Sequence, residues 1–192
     1  MPPKSPPVLD FLLTRRSRPA KTLTTPVPSR AEVEVMLKAA ARTPDHGKLE
    51  PWRFIVLERP ALQRLAGLVE PHGGRLGKTE MDIAKARRQY EDAHLAVAVV
   101  EVQKSSEKIP AIEQTYSAGA VCLALLNAAL ASGWGANWLS GWPSHDRGFI
   151  TEGLGLAENE RIAGIIHLGT ETATPPDRPR PDMDAIATWV KT

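Results

Sequence analysis

The segment T-P-D-H-G-K-L-E-P-W-R-F, residues 43–54, places an aspartate, a histidine, a lysine and a glutamate between two prolines. Side chains of these types exchange protons, donate or accept hydrogen bonds and pair with charges, so the loop could line a site for a polar ligand. A helix end followed by a solvated turn explains the same residues about as well. The other polar groups of the chain decide between these two interpretations.

Several further groups make chemical sense together around a large anionic aromatic ligand. Paired guanidiniums with a hydroxyl fit a phosphate or a polar ring edge, and a glycine-broken segment can offer backbone amides and an aromatic wall. Taken singly, each group has an ordinary explanation as a solvated arginine or a core tryptophan. The groups are Arg15, Arg16 and Ser17 near the start, Asn137 and Trp138 in G-W-G-A-N-W-L-S-G-W, and Arg178 and Arg180 in the proline-rich tail.

Self-contained active sites of several kinds are excluded by missing motifs. The 5 histidines form no HxH or HxxxH pair, and the lone Cys122 cannot supply a thiolate cluster, so no metal site is predicted. Neither GxSxG, GxGxxG nor a P-loop pattern occurs. Ser105 and Lys108 have the spacing of an SxxK motif without its companion motifs, and we interpret them as a solvated turn.

Length and composition predict one globular domain. The chain has 192 residues, of which 42% are apolar, and 24 basic against 22 acidic side chains leave a net charge of +2. So balanced a charge argues against nucleic acid or an anionic membrane surface as a partner. The N-terminal residues lack the pattern of a signal peptide, and the apolar run 118–131 is too short to span a bilayer. With a single cysteine, these features favour a reducing cytoplasm.

Helix and strand patterns alternate irregularly along the chain. Ser29 and Glu32 form a capping box before an amphipathic helix, and residues 52–58 and 94–102 have the composition of buried strands. Glycine-rich patches at 71–77 and 133–142 predict breaks between elements. The segment A-I-A-T-W-V near the end of the sequence predicts a strand after an extended arm, and that arm could pair with a second subunit. Uneven spacing favours a sheet with mixed strand directions between helices over a doubly wound fold.

The order of the motifs carries a resemblance. R-R-S, P-D-H-G-K-L-E-P-W-R-F-I-V-L, G-W-G-A-N-W-L-S-G, I-A-G-I-I-H-L-G-T and R-P-R-P together resemble the nitroreductase family of FMN-dependent oxidoreductases, in its short subgroup with a PDH....PW loop. The resemblance implies an α+β fold, a three-layer α/β/α sandwich whose mixed central sheet is mainly antiparallel. It also implies a homodimer with FMN at the subunit interface, in which each chain is a single domain, 1–192, with a C-terminal arm from about residue 171.

The resemblance also implies a set of cofactor contacts. Arg15, Arg16 and Ser17 would hold the phosphate, the ribityl chain and the ring edge, with Asn137, Trp138 and Leu139 on the same side. His46 and Glu50 would reach the flavin from the other subunit, Lys48 or His46 could serve the ring, and Arg180, with Arg178, would bind the phosphate. Two positions depart from the family pattern, because Glu50 stands where glutamine is expected and Leu139 where arginine is expected. Near a reduced flavin, Glu50 adds a negative charge and Leu139 removes a cation.

The implied activity is ping-pong hydride transfer from NADH or NADPH, through the flavin, to a nitroaromatic, quinone or similar small-molecule acceptor. The cofactor carries this chemistry, so no catalytic side chain is predicted. Two alternatives stay open at this point. One is a flavin-binding carrier or redox sensor without efficient turnover, and the other is a flavin-free dimeric interaction module.

Overall fold

The computed structural model of the protein describes residues 4–191. The helices are α1 (Pro6–Thr14), α2 (Arg30–Ala40), α3 (Arg59–Arg75), α4 (Glu80–Glu91), α5 (Ala111–Ala131), α6 (Trp142–His145), α7 (Arg147–Leu154) and α8 (Met183–Ile186). The strands are β1 (Leu23–Thr24), β2 (Trp52–Glu58), β3 (Leu95–Val102), β4 (Gly135–Leu139) and β5 (Glu160–Glu171).

The long strand β5 organises the sheet. It pairs with β3 along most of its length, with β4 through its C-terminal half and with β1 at its last residues. The strand β2 completes the sheet by pairing with β3. Among the described residues, β2 pairs with β3 alone and β4 with β5 alone. The outer edge of each strand is therefore free of strand partners, although Ala136 of β4 accepts a hydrogen bond from the amide of Arg18.

Helices cover both faces of this sheet, because β3 and β5 are apolar on both sides. On one face the core is formed with α3, α4 and α7, around Leu62, Tyr90 and Phe149. On the other face it is formed with α2 and α5, around Met36 and Leu125. The predicted α+β class and the three-layer sandwich are therefore confirmed.

The sheet was predicted as mixed and mainly antiparallel, and every pair formed within residues 4–191 is antiparallel. The strand predicted near the end of the chain does not form, since α8 ends at Ile186 and no strand follows it up to Lys191. A strand needs a neighbour for its backbone hydrogen bonds, and the arm lies on none within its own protomer.

The helix α5 extends beyond the apolar run 118–131 at its N-terminal end. Its length and composition would allow it to cross a bilayer. In this fold one side of α5 packs into the core against the sheet and α2. The opposite side leaves Ile112, Tyr116 and Leu123 between 45% and 68% exposed. This uncovered apolar stripe lies on the same helix as the buried Cys122.

Candidate functional site

Three guanidiniums lie close together where α1 ends, those of Arg15, Arg16 and Arg180. Arg15 caps α1, and its Nη2 donates a hydrogen bond to Ser17 Oγ at 3.0 Å. Arg16 Nε donates to the carbonyl of Pro176 at 3.4 Å, which holds the C-terminal arm against this point. The Nε of Arg15 is buried and has no hydrogen-bond partner within residues 4–191.

The electrostatics of this cluster favour an anion. Burial lowers the pKa of the Arg15 guanidinium, and the positive charges of Arg180 and Arg16 lower it further. A buried donor without an acceptor is costly, and so is the mutual repulsion of like charges. One carboxylate pairs within the group, because Arg180 Nη2 lies 3.0 Å from Asp177 Oδ1. An anionic ligand with several oxygens would satisfy Arg15 Nε and screen the three cations.

Backbone hydrogen bonds join this cluster to β4. The amide of Arg18 donates to the carbonyl of Ala136 at 2.8 Å, and Asn137 Nδ2 donates to the carbonyl of Arg18 at 2.6 Å. A cavity of about 320 Å³ lies at this junction. Its lining comprises Phe11, Thr14, Arg15, Arg16, Arg18, Leu130, Gly133, Trp134, Gly135 and Glu171. The early R-R-S motif and the start of the G-A-N-W segment thus meet in space.

Strand geometry separates the side chains of this segment. Neighbouring strand residues point to opposite faces, so Asn137, Trp138 and Leu139 do not all share one face of β4. Trp138 lies on the α5 face, where its indole rests against Gly164, whereas Leu139 lines a cavity beside α4.

The cavity beside α4 has a volume of about 580 Å³. Its lining includes three cations and one carboxylate, with Leu139 and the buried His167: Lys21, Lys85, Arg88 and Asp92. His167 is 3% exposed, and burial lowers its pKa to about 4, so its imidazole is neutral near pH 7. Only the fold shows that two cations of α4 line a cavity at the end of β4.

The loop 44–50 has an unusual backbone. Gly47, Lys48 and Glu50 have positive φ angles of 71°, 54° and 49°. Non-glycine residues in this region are strained by roughly 1–3 kcal/mol each, and such residues persist where the surroundings fix them. Here the amide of Glu50 donates to Asp45 Oδ1 at 3.1 Å, and Lys104 Nζ donates to the carbonyl of Leu49.

The same loop is tied to α5. Ser117 Oγ donates to the carbonyl of Pro44 at 3.0 Å and accepts from Trp52 Nε1 at 3.1 Å. His46 Nδ1 lies 2.7 Å from Glu113 Oε2. Within the protomer, neither His46 nor Glu50 lines the cavity formed by the arginine cluster. His46 instead borders a depression beside the exposed stripe of α5.

Comparison with known proteins gives the class of this fold and site. The sequence model described as "Nitroreductase family" matches residues 12–170. The Escherichia coli (strain K12) protein YdjA, whose name describes it as a candidate NAD(P)H nitroreductase, is 34% identical over 162 residues, covering 84% of this chain and 87% of YdjA. The chain belongs to the nitroreductase family.

Solved structures agree on the fold. The nitroreductase-like family protein from Bacillus cereus superposes with a TM-score of 0.80 at 22% identity, covering 100% of both chains. A Desulfovibrio desulfuricans protein solved in complex with FMN has a TM-score of 0.75 at 20% identity, covering 98% of this chain and 100% of that one.

Proposed function

We propose that the protein is an FMN-dependent oxidoreductase that passes hydride from NADH or NADPH to nitroaromatic, quinone or similar acceptors. The observation that carries this proposal is the cluster of Arg15, Arg16 and Arg180, in which a buried guanidinium nitrogen has no acceptor among residues 4–191. Family membership and the names of the relatives support the same activity. When bound, FMN supplies the hydride chemistry.

The arginine cluster suits the phosphate of FMN. A phosphate monoester carries about −1.5 to −2 charges near pH 7 and offers several acceptor oxygens. Arg15 Nε and the guanidinium of Arg16 would donate to it, and Ser17 would hold the adjoining chain. Charge-assisted hydrogen bonds of this kind contribute roughly 1.5–3 kcal/mol each.

The ring of the cofactor would follow the free edge of β4. Gly135 borders the cavity at the arginine cluster, and Leu139 borders the cavity beside α4. A strand rises about 3.3 Å per residue, so these two ends lie roughly 13 Å apart, which suits an extended chain between phosphate and ring. Lys85 and Arg88 would then supply the positive charge that, in the family pattern, comes from an arginine at position 139.

The other half of the site would come from a second copy of the chain. The exposed stripe of α5, with Ile112, Tyr116 and Leu123, supplies an apolar dimer surface. In the dimer, His46 and Glu50 would approach the partner's cofactor. The unpaired Asn127 Oδ1 on the same helix also suits a partner that brings a donor.

The C-terminal arm offers a second contact between the copies. Trp189 and Val190 are 88% and 82% exposed, although both are large and apolar. A groove lined by Val33, Leu37 and Val56 lies beside the free edge of β2. Addition of the partner's residues 187–191 to this edge would cover both side chains and give the arm the strand partner that it lacks. Sedimentation of a variant that ends at Ile186 should show a weakened dimer, and an unchanged dimer would contradict this role of the arm.

A flavin carrier or redox sensor without efficient turnover is the second candidate. Two observations favour it: Leu139 supplies no cation, and Glu50 brings a carboxylate where the resemblance expects an amide. Rapid anaerobic reduction of the bound flavin by NADH or NADPH would reject this candidate, and reduction too slow to sustain turnover would select it. Parallel lines in a two-substrate steady-state analysis support the ping-pong scheme, and intersecting lines contradict it.

The binding claim is tested with one variant and one matched control. Arg15→Ala should weaken FMN binding about tenfold to a hundredfold, because it removes charge-assisted hydrogen bonds at the phosphate. Arg30→Ala removes an exposed arginine that pairs with Glu34 inside α2 and should leave FMN affinity unchanged. Fluorescence titration of the apoprotein with FMN measures both variants. Equal affinities for the two would count against the proposed phosphate site.

A further inference from the structure

The pair His46 and Glu113 joins two parts of the chain that are 67 residues apart. The Nδ1 to Oε2 distance is 2.7 Å, so the carboxylate of Glu113 accepts the Nδ1 hydrogen and fixes the plane of the ring. Among the described residues His46 makes no other side-chain hydrogen bond, which leaves Nε2 available. The two side chains are 61% and 41% exposed, so solvent or a second copy can reach the imidazole.

The loop is built to hold this imidazole in place. Gly47, directly after His46, has a left-handed backbone and packs so closely on Ile109 that a Cβ would collide with the Ile109 side chain. The following Lys48 is also left-handed, and Ser117 anchors the loop at Pro44. Holding the backbone in this strained conformation costs free energy, and an ordinary solvent-exposed turn would not need to adopt it.

Reduction of the acceptor requires a proton donor, and a positioned imidazole is one. A quinone or nitro compound that takes up a hydride also needs a proton on oxygen, and a positioned histidine can provide it. A carboxylate that accepts the hydrogen of the far nitrogen fixes the orientation of the imidazole. Glu113 stands in this relation to His46.

We propose that His46 is the proton donor for acceptors bound in the partner's site, and that Glu113 is its positioning residue. This inference rests on the proposed function, because it needs the dimer and the bound cofactor. The acceptor receives the hydride, the His46 Nε2–H bond breaks, and its proton forms the new O–H bond on the acceptor. His46 is left neutral, with Nδ1–H still held by Glu113, and regains its proton from solvent.

The test separates electron transfer from proton transfer. The anaerobically reduced protein is reoxidised by a quinone, which needs a proton, or by ferricyanide, which accepts electrons alone. His46→Gln should lower the quinone rate constant about a hundredfold. Glu113→Ala should lower it about tenfold, and Glu113→Gln, which keeps an acceptor for Nδ1–H, should recover part of that loss. In each of these variants the quinone rate should fall by a larger factor than the ferricyanide rate measured on the same preparation.

A matched control sharpens the result. Glu107→Gln removes another exposed carboxylate, shortly before α5, and should alter neither rate.

The possible outcomes separate the role of His46 from the proposed oxidoreductase function. Equal losses with quinone and ferricyanide, or no loss with either, overturn the role of His46 while the oxidoreductase function stands. A chain that binds no FMN, or that no nicotinamide reduces, overturns the proposed function and this inference with it. A selective loss with the quinone, larger for His46→Gln than for Glu113→Ala, supports the assignment.

Discussion

The packing of the Trp138 indole against Gly164 predicts a loss of stability whose magnitude follows from the structure. A Cβ at position 164 would lie 2.7 Å and 2.8 Å from Cδ1 and Cε2 of Trp138, and closer still to its Nε1. Ordinary contact begins near 3.4 Å, so the indole must move by at least about 0.7 Å. The strand cannot yield, because β3 and β4 hold β5 on both sides here. Trp138 is 37% exposed and can swing outwards.

Gly164→Ala should therefore lower the unfolding free energy of the apoprotein by about 1–3 kcal/mol, the usual cost of overpacking. It should also weaken FMN binding, because the indole leaves its place beside the edge of β4. In a Trp138→Leu background the same substitution should have little effect on stability, since the collision is gone. Urea unfolding measures the first effect and fluorescence titration the second.

A matched glycine serves as the control. Gly67 lies inside α3, and a Cβ there would meet no atom within 4 Å. Gly67→Ala should raise stability by about 0.5–1 kcal/mol, through helix propensity alone. If Gly164→Ala leaves both stability and FMN affinity unchanged, the indole does not rest where we place it and the reasoning fails.

Three further predictions concern buried groups. Burial opposes ionisation of Glu101, but hydrogen bonds from Arg161, Gln103 and Thr115 outweigh it and lower its pKa. Because the Arg161 side chain is 56% exposed and the other two donors remain, Arg161→Met should cost about 1–3 kcal/mol at pH 7 in urea unfolding; an unchanged stability would contradict this ion pair. The pKa of His167 is lowered to about 4 in the folded chain, so as the pH falls the unfolded chain takes up this proton before the folded chain does. The unfolding free energy should therefore fall as the pH drops from about 6.5 towards 4. If His167→Phe shows the same decline, another group is responsible. Burial raises the pKa of the Cys122 thiol to about 12, so the native chain should resist alkylation at pH 8 and react fully once unfolded; prompt labelling of the native chain would refute this.

Local signals in the sequence predicted the local structure well. The capping box of Ser29 and Glu32 forms as expected, because both partners lie within one helical turn. The strand 52–58 was likewise predicted with its correct ends, since its β-branched and aromatic residues suit a strand in any surroundings.

Boundaries that depend on packing were predicted less well. Residues 71–77 were read as a break, yet α3 continues through Pro71 to Arg75, with Gly73 packed tightly against Ile83 and Trp142. The segment that includes residues 135–139 was read as a glycine-rich interruption, yet it forms β4, because β5 offers it a free edge. In both places a tertiary contact outweighs the local preference of glycine.

In the candidate site, too, the sequence predicted some residues, and the contacts between distant elements appear only in the structure. The order of the motifs identified Arg15, Arg16 and Ser17, and the structure brings them to the start of β4. Order could not show that Lys85 and Arg88 face the other end of that strand, because a charged helix reads as solvated until its neighbours are known. It also could not show the pairing of His46 with Glu113, since nothing in the sequence links two residues that far apart.

The central claim is that the arginine cluster holds FMN. The most direct test is the visible spectrum of freshly purified protein, followed by denaturation and identification of any chromophore that is released. Our account predicts a yellow protein that releases equimolar FMN and rebinds it as the apoprotein. A colourless protein that takes up no added FMN would contradict the account and leave the cluster without its ligand.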